Sequence, residues 1–486
     1  MTEAILGIDL GTTEVKAGLV GLDGRLLGIA RAGYDLEVGH GPGWAEQDPG
    51  SWWSAVVSAV RALHRTETHP GGGPLDIVAI GVDGHGPTLV PVDDRGEATR
   101  PAITFLDTRA AAEAAELEAA TGIRGWGLGP LPAALWVERH EAATAARTRW
   151  YLTTWEWLAF RLTGEAVAPL VPDQAVLDPE VVAPATGLHM ERRPPSGDLG
   201  AITGRLSATA GDALGLRPGI PVAGGTNDAF SSYLGAGLLE PGDAFDPGGS
   251  AGGFGVYWHH AVEVPGAFVT PAPLAGLFSV GAAMAATGRA LDWFRDDVVG
   301  GAITTEQLLA QAAATSPGAD GLVFLPYLAG ERSPIWDASA TGVLAGLTLA
   351  HGRGHIARAI LEASALAIRH VATPMLAAGV TVTAMRTCGG PARSDTWNQI
   401  KADITGFRVL VPAVLETAVL GSAILGAVGV GAQPDLPAAI RAMTRIEHEL
   451  VPRPEFAATY ARVFETYVAL YPAVAPMLRP LAGLRS

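Results

Sequence analysis

The sequence predicts an α/β protein of two related domains, and three observations carry that prediction. Strand-like and helix-like apolar periods alternate along the chain. A strand–glycine turn–strand unit near the start is repeated about half a chain later. The length, 486 residues, suits two or three domains.

Ile5 to Asp9 and Val15 to Leu22 are apolar strand segments around the turn GTTE, and GLDGRLLGIA adds another turn and strand. Ser51 to Leu63 has helical periodicity with a serine start and Trp52, Val56, Val57 and Val60 on one face. Ala166 to Gly200 is proline-rich and reads as an irregular excursion. Asp243 to His260 repeats the strand–turn–strand opening, with Ala223 to Gly237 at the junction. Gly321 to Pro326 then reads as a strand, Tyr327 to Thr348 as a loop and Gly354 to Ala378 as a helix. Thr381 to Thr387 is a strand, and Thr396 to Thr405 and Glu455 to Ala469 are helices. The expected domains are 1–236 and 237–486.

Bulk composition excludes several function classes. Nearly half of the residues are apolar and 17% are charged, enough for a large core. A net charge of −16 argues against nucleic acid or an anionic membrane as partner. The single cysteine, Cys388, forms no intrachain disulfide and fits a reducing, cytoplasmic compartment. MTEAILGIDL does not read as a signal peptide, and Ala418 to Gly431 is too short and glycine-rich for a membrane span. The two lysines, Lys16 and Lys401, read as compositional bias.

Five segments carry chemistry. In GIDLGTTEVKAG the turn at Gly11 can aim backbone N–H groups at a phosphate. Thr12 and Thr13 add hydroxyls there, and Asp9 can hold hydrated Mg²⁺. In GGTNDAFSSYLGAG, Asp228 stands at a helix start, as a plain N-cap or as the acceptor of a hydroxyl proton. Gly248, Gly249 and Ser250 form a second candidate phosphate cradle. Glu331 and Arg332, in LPYLAGERSPIWD, read as a bracing ion pair. After Gly389 and Gly390, the polar residues Asn398 and Gln399 either serve adenosine or decorate a helix.

These segments together resemble the FGGY family of carbohydrate kinases. The match is carried by IDLGTT at 8–13, WAEQDPGSWW at 44–53, the Asp228 block and PYLAGERSPIWD at 326–337, then by GLTLAH at 346–351, Gly389–Gly390 and ETAVLGSAILGAVGVG at 416–431. The resemblance implies two ribonuclease-H-like (actin-like ATPase) domains flanking a catalytic cleft. The first domain would bind sugar and supply the base, the second the nucleotide. It further implies ATP and Mg²⁺ as cofactors, Asp228 as catalytic base and Asp9 as the metal-linked acid. Gly11, Thr12, Thr13, Gly248, Gly249 and Ser250 become phosphate contacts, and Gly389, Gly390 and Gln399 adenosine contacts. Where relatives carry Gln-Met-His-Gly or Gln-Arg-Glu, this chain has GHGPT, which leaves His85 either as a candidate substrate contact beside Asp228 or as a structural loop histidine. Asp83, Asp107, Arg109 and Glu156 lie in segments that surround the sugar pocket in relatives, and the resemblance assigns none of them a contact. The expected reaction is phosphorylation of a hydroxyl on a small sugar, polyol or sugar acid, with a ketose such as xylulose favoured and a homodimer as the assembly. A sugar-independent actin-like or chaperone-like ATPase and a silent sugar-binding regulator are the rival readings.

Overall fold

The opening meander forms as three antiparallel strands, β1 (Thr2–Leu10), β2 (Glu14–Gly21) and β3 (Leu26–Gly33), in a computed structural model that describes residues 2–38, 41, 43–65, 75–249 and 251–482. β4 (Leu75–Gly84) and β6 (Pro221–Asn227) extend the sheet in parallel to β1, and β5 (Ile202–Arg205) closes its edge antiparallel. The order is β5-β6-β4-β1-β2-β3. Helix α1 (Pro49–Arg65) buries Trp52, Val56, Ala59, Val60 and Leu63 with Leu6, Ile8, Val15 and Leu19 of the sheet. Its start lies before the expected serine because Asp48 accepts from the N–H groups of Gly50 and Ser51 at 3.0 and 3.1 Å, a carboxylate cap. Helix α2 (Asp228–Ala236) follows β6 directly.

The second sheet repeats the plan. β7 (Asp243–Asp246), β8 (Gly253–Trp258) and β10 (Phe278–Ala283) are antiparallel neighbours. β11 (Ala384–Thr387) and β12 (Val409–Pro412) run parallel to β7, and β13 (Ile446–Leu450) closes antiparallel. With β9 (Phe268–Pro271) the order is β9-β10-β8-β7-β11-β12-β13. Both sheets therefore read as a three-stranded meander, two parallel strands and a reversed edge, which bears out the internal repeat. Helices α3 (Arg353–Ala377) and α4 (Asp395–Thr405) pack Ile360, Leu361, Trp397 and Ile400 into one core. The expected irregular excursion holds a helix, Pro179–Thr186, and the last helix runs Ala457–Ala482.

The chain divides into two units, each assembled from separate stretches. The first comprises Met1–Gly237, Pro271–Gly276 and Glu416–Thr444; the second comprises Leu238–Thr270, Leu277–Leu415 and Arg445–Ser486. A single boundary after residue 236 therefore misses a return. Helix α5 (Thr417–Gly429), the apolar stretch too short for a membrane, is core of the first unit. A Cβ on Gly7 would lie 2.3 Å from the Val419 carbonyl oxygen, and one on Gly81 would lie 1.8 Å from that of Ser422. Only glycine lets this helix lie flush on β1 and β4. Among the described residues, no helix is long and apolar enough to cross a membrane.

Candidate active site

Parallel pairing brings three acids of the first unit to one end of its sheet. Asp9 and Asp83 are register partners at the ends of β1 and β4, and Asn227 of β6 pairs with Gly84. Asp228 is thus one residue beyond the third strand end. Its side chain is not the helix cap. Asn227 accepts from the Phe230 N–H at 2.8 Å and caps α2, while Asp228 accepts from the N–H of Ala229 at 2.8 Å.

The electrostatics are those of an acid surplus. Burial, and then the Asp9 charge, push the Asp228 carboxyl up to about 7, against the opposing Ala229 N–H and Lys16 ammonium. Asp83, fully buried, is raised well above the carboxylate range by burial and by Asp9, although Ser422 donates to it at 2.5 Å. Its other oxygen is buried without a donor. Lys16 lies 3.4 Å from Asp9 and within 4 Å of Glu14 and Glu416. Burial disfavours its charge, but those carboxylates together hold the ammonium above its ordinary pKa. Tyr34 is raised by burial and by the charges of Asp9, Asp228 and Glu14.

The first glycine turn is clamped through its carbonyls. Tyr34 donates its hydroxyl to the carbonyl of Gly11, Gln47 donates to that of Thr12 at 2.8 Å, and the Tyr34 N–H reaches that of Thr13 at 3.0 Å. Gly11 and Thr12 are half-buried and Thr13 is exposed. With its acceptors taken and the Gly11 N–H donated to the Glu14 carbonyl at 3.1 Å, the turn has the amides and hydroxyls of Thr12 and Thr13 to offer an anion.

In the second unit, the two remaining glycine turns back onto each other at the ends of β7 and β11, where Asp246 pairs with Thr387. Gly248 has a left-handed φ of 55°, and a Cβ there would lie 2.1 Å from the Cys388 carbonyl oxygen. Gly389 has a left-handed φ of 69°, and a Cβ there would lie 3.2 and 3.3 Å from the carbonyl oxygens of Pro247 and Gly248. A small pocket is lined by Asp246, Gly248, Gly249, Thr287, Trp397 and Lys401, among others. Ser250, the third member of the expected cradle, lies outside the described residues.

Other expectations change. Gln399 does not turn toward Gly389 and Gly390: its amide donates to Asp403 at 2.9 Å and to the Val451 carbonyl at 2.8 Å. Asn398 is the residue that holds the turn, donating to the Ala392 carbonyl at 2.8 Å. His85 is 1% exposed, with Nδ1 3.1 Å from the Thr88 hydroxyl and the Trp52 ring at 5.2 Å. Burial drives its pKa down to about 3, so it is a neutral wall residue whose Nε2 alone lacks a partner. Asp107 grips Arg109 at 2.6–3.0 Å and caps Ala45, and Arg109 stacks on Trp44 at 3.6 Å. Glu156 caps its own helix and binds Arg193 at 2.8 Å. These three are braces. Glu331 also braces, accepting from the Ala285 N–H at 2.9 Å.

Lys16, Tyr34, Lys401 and Asp246 escaped the sequence reading as site residues. The rarity of lysine was the one signal available for the first and third.

Duplicated sheets of this plan, with acids and glycine turns at the parallel strand ends, define the actin-like ATPase class. Residues 4–171 match the N-terminal domain, and residues 259–430 the C-terminal domain, of the FGGY family of carbohydrate kinases. Xylulose kinase of Escherichia coli K12 is 31% identical over 420 residues, covering 82% of this chain and 84% of the relative. Gluconokinase of Bacillus licheniformis is 27% identical over 97% of this chain and 96% of its own. The crystal structure of xylulose kinase from Rhodospirillum rubrum superposes with a TM-score of 0.81 at 32% identity, covering 98% and 99% of the two chains. The chain belongs to the FGGY family of carbohydrate kinases, and is an enzyme that uses ATP to phosphorylate a sugar or sugar acid.

Proposed function

We propose that the chain phosphorylates a hydroxyl of a ketose such as xylulose, with Asp228 as general base. The observation that carries this reading is the Asp228 carboxyl, freed from capping duty by Asn227 and raised to about 7 beside Asp9. A base in that range is ionised in a useful fraction of molecules and still holds a proton well. The acceptor proton passes to Asp228 as the oxygen–phosphorus bond forms, while the bond to the leaving ADP breaks. Phosphoryl transfer otherwise asks for positioning and charge neutralisation. The reading gives that work to the Gly11–Thr13 turn and to the Gly248–Ser250 turn, with Gly389 and Gly390 at the adenosine end. The xylulose kinase names of the relatives support a ketose, and His85 keeps one nitrogen for the substrate pocket.

Magnesium fits the same site. Among the described residues no three His, Cys, Asp or Glu side chains could hold a metal ion by themselves. Asp9 would instead hold it with water and phosphate oxygens, as this ion prefers. When bound, it supplies positive charge to the β- and γ-phosphates. A cytoplasmic location goes with this reading, since the one cysteine, Cys388, is buried and calls for no oxidising compartment.

Asp228→Asn tests the assignment. It should lower kcat with ATP and xylulose by at least about 100-fold and leave ADP affinity within about twofold. A near-normal kcat removes Asp228 from the mechanism.

A further inference from the structure

Only two of the chain's 33 basic residues are lysines, and each meets the aspartate that ends the first strand of its sheet: Lys16 on Asp9 and Lys401 on Asp246. Lys401 projects from α4 and is 2% exposed. Its ammonium contacts Asp246 and donates to the Thr387 hydroxyl at 3.0 Å, which in turn donates to Asp246 at 3.0 Å. The other oxygen of Asp246 accepts from the Gly248 N–H at 3.0 Å. Aspartate, lysine and both glycines of the turn line one pocket.

A lone carboxylate beneath a turn that receives phosphate has the wrong sign, and burial strengthens its repulsion. We propose that Lys401 is a positioning residue for the nucleotide: it cancels the Asp246 charge under the Gly248–Gly249 turn and so keeps that turn receptive to phosphate. This rests on reading the turn as a phosphate cradle. Lysine serves in a chain that otherwise uses arginine because a compact ammonium, unlike a planar fork, fits between Asp246 and Thr387.

The test uses the full-length enzyme. Lys401→Gln keeps an amide donor for Asp246 and Thr387 and removes the charge. The Michaelis constant for ATP and the Kd for ADP should rise about tenfold or more, with kcat and the Michaelis constant for xylulose within about threefold. Lys401→Gln/Asp246→Asn, with neither charge, should bring ADP binding back to within about threefold of the parent. A purely structural pair would lower the Tm of Lys401→Gln and leave ADP affinity unchanged, which overturns the proposal. Should Lys401→Gln fail to fold, Asp246→Asn, which leaves the ammonium uncancelled under the turn, is compared with the double variant: tighter ADP binding in Asp246→Asn supports the charge reading, and equal affinity overturns it. Gly249→Glu tests the cradle itself. Its Cβ would meet nothing within 4 Å, so the added carboxylate is accommodated and should abolish ADP binding. If ADP binding survives, the cradle reading fails whatever Lys401 does.

Discussion

The aspartate that ends the first strand of each sheet meets opposite conditions. Asp9 faces a partly exposed lysine at 3.4 Å and stands among Asp83, Asp228 and Glu14. Asp246 is buried with one lysine, one hydroxyl and one backbone amide, each satisfied by it. One folding device thus yields a surplus of negative charge in the first unit and a closed balance in the second. Surplus raises carboxyl pKa values into the range where protons move; balance fixes a turn. Chemistry is expected where carboxylates outnumber cations, and rigidity where they are matched.

The contrast can be broken most severely at the balanced acid. Asp246→Ala strands the Lys401 ammonium and should cost about 3–5 kcal/mol, read from the urea midpoint, whereas Asp228→Asn should cost no stability near neutral pH. The next effect is in the pH profile. The logarithm of kcat/KM should climb through a midpoint near 7 and level off above it as Asp228 ionises. Asp228→Asn should flatten that limb.

Stability should move the other way. The folded Asp228 pKa lies above the ordinary carboxyl value of 3.8, so the native state binds more protons between those pH values. Stability contributed by the protonated acid is therefore lost as pH rises from about 4 to 7. The Tm of Asp228→Asn relative to the parent should grow over that window and stay constant above it. A smaller change sharpens the view of the first turn. Tyr34→Phe removes the clamp on the Gly11 carbonyl and should raise the Michaelis constant for ATP about three- to tenfold, with the xylulose constant unchanged.

Local chemistry was legible in the sequence; long-range partnership was not. The three glycine turns, the acids at Asp9 and Asp228 and the repeated meander all follow from short windows of sequence. The return of α5 does not, because its fit depends on glycines at 7 and 81, far away in the chain. Asp83 looked like one more pocket residue because its partner Ser422 lies 339 positions on. Gln399 is different: Asp403, four residues later on the same helix, was a visible competitor for its amide. The two lysines were read as composition, yet each is the counter-charge of a strand-end acid.

The return of Thr417–Gly429 to the first sheet also sets the order in which the chain can mature during synthesis. The face of β1 and β4 around Gly7 and Gly81 stays uncovered until residues near 429 have left the ribosome, long after its own strands are made. A polypeptide stopped at residue 236 would carry all three acids and lack the helix whose Ser422 donates to Asp83.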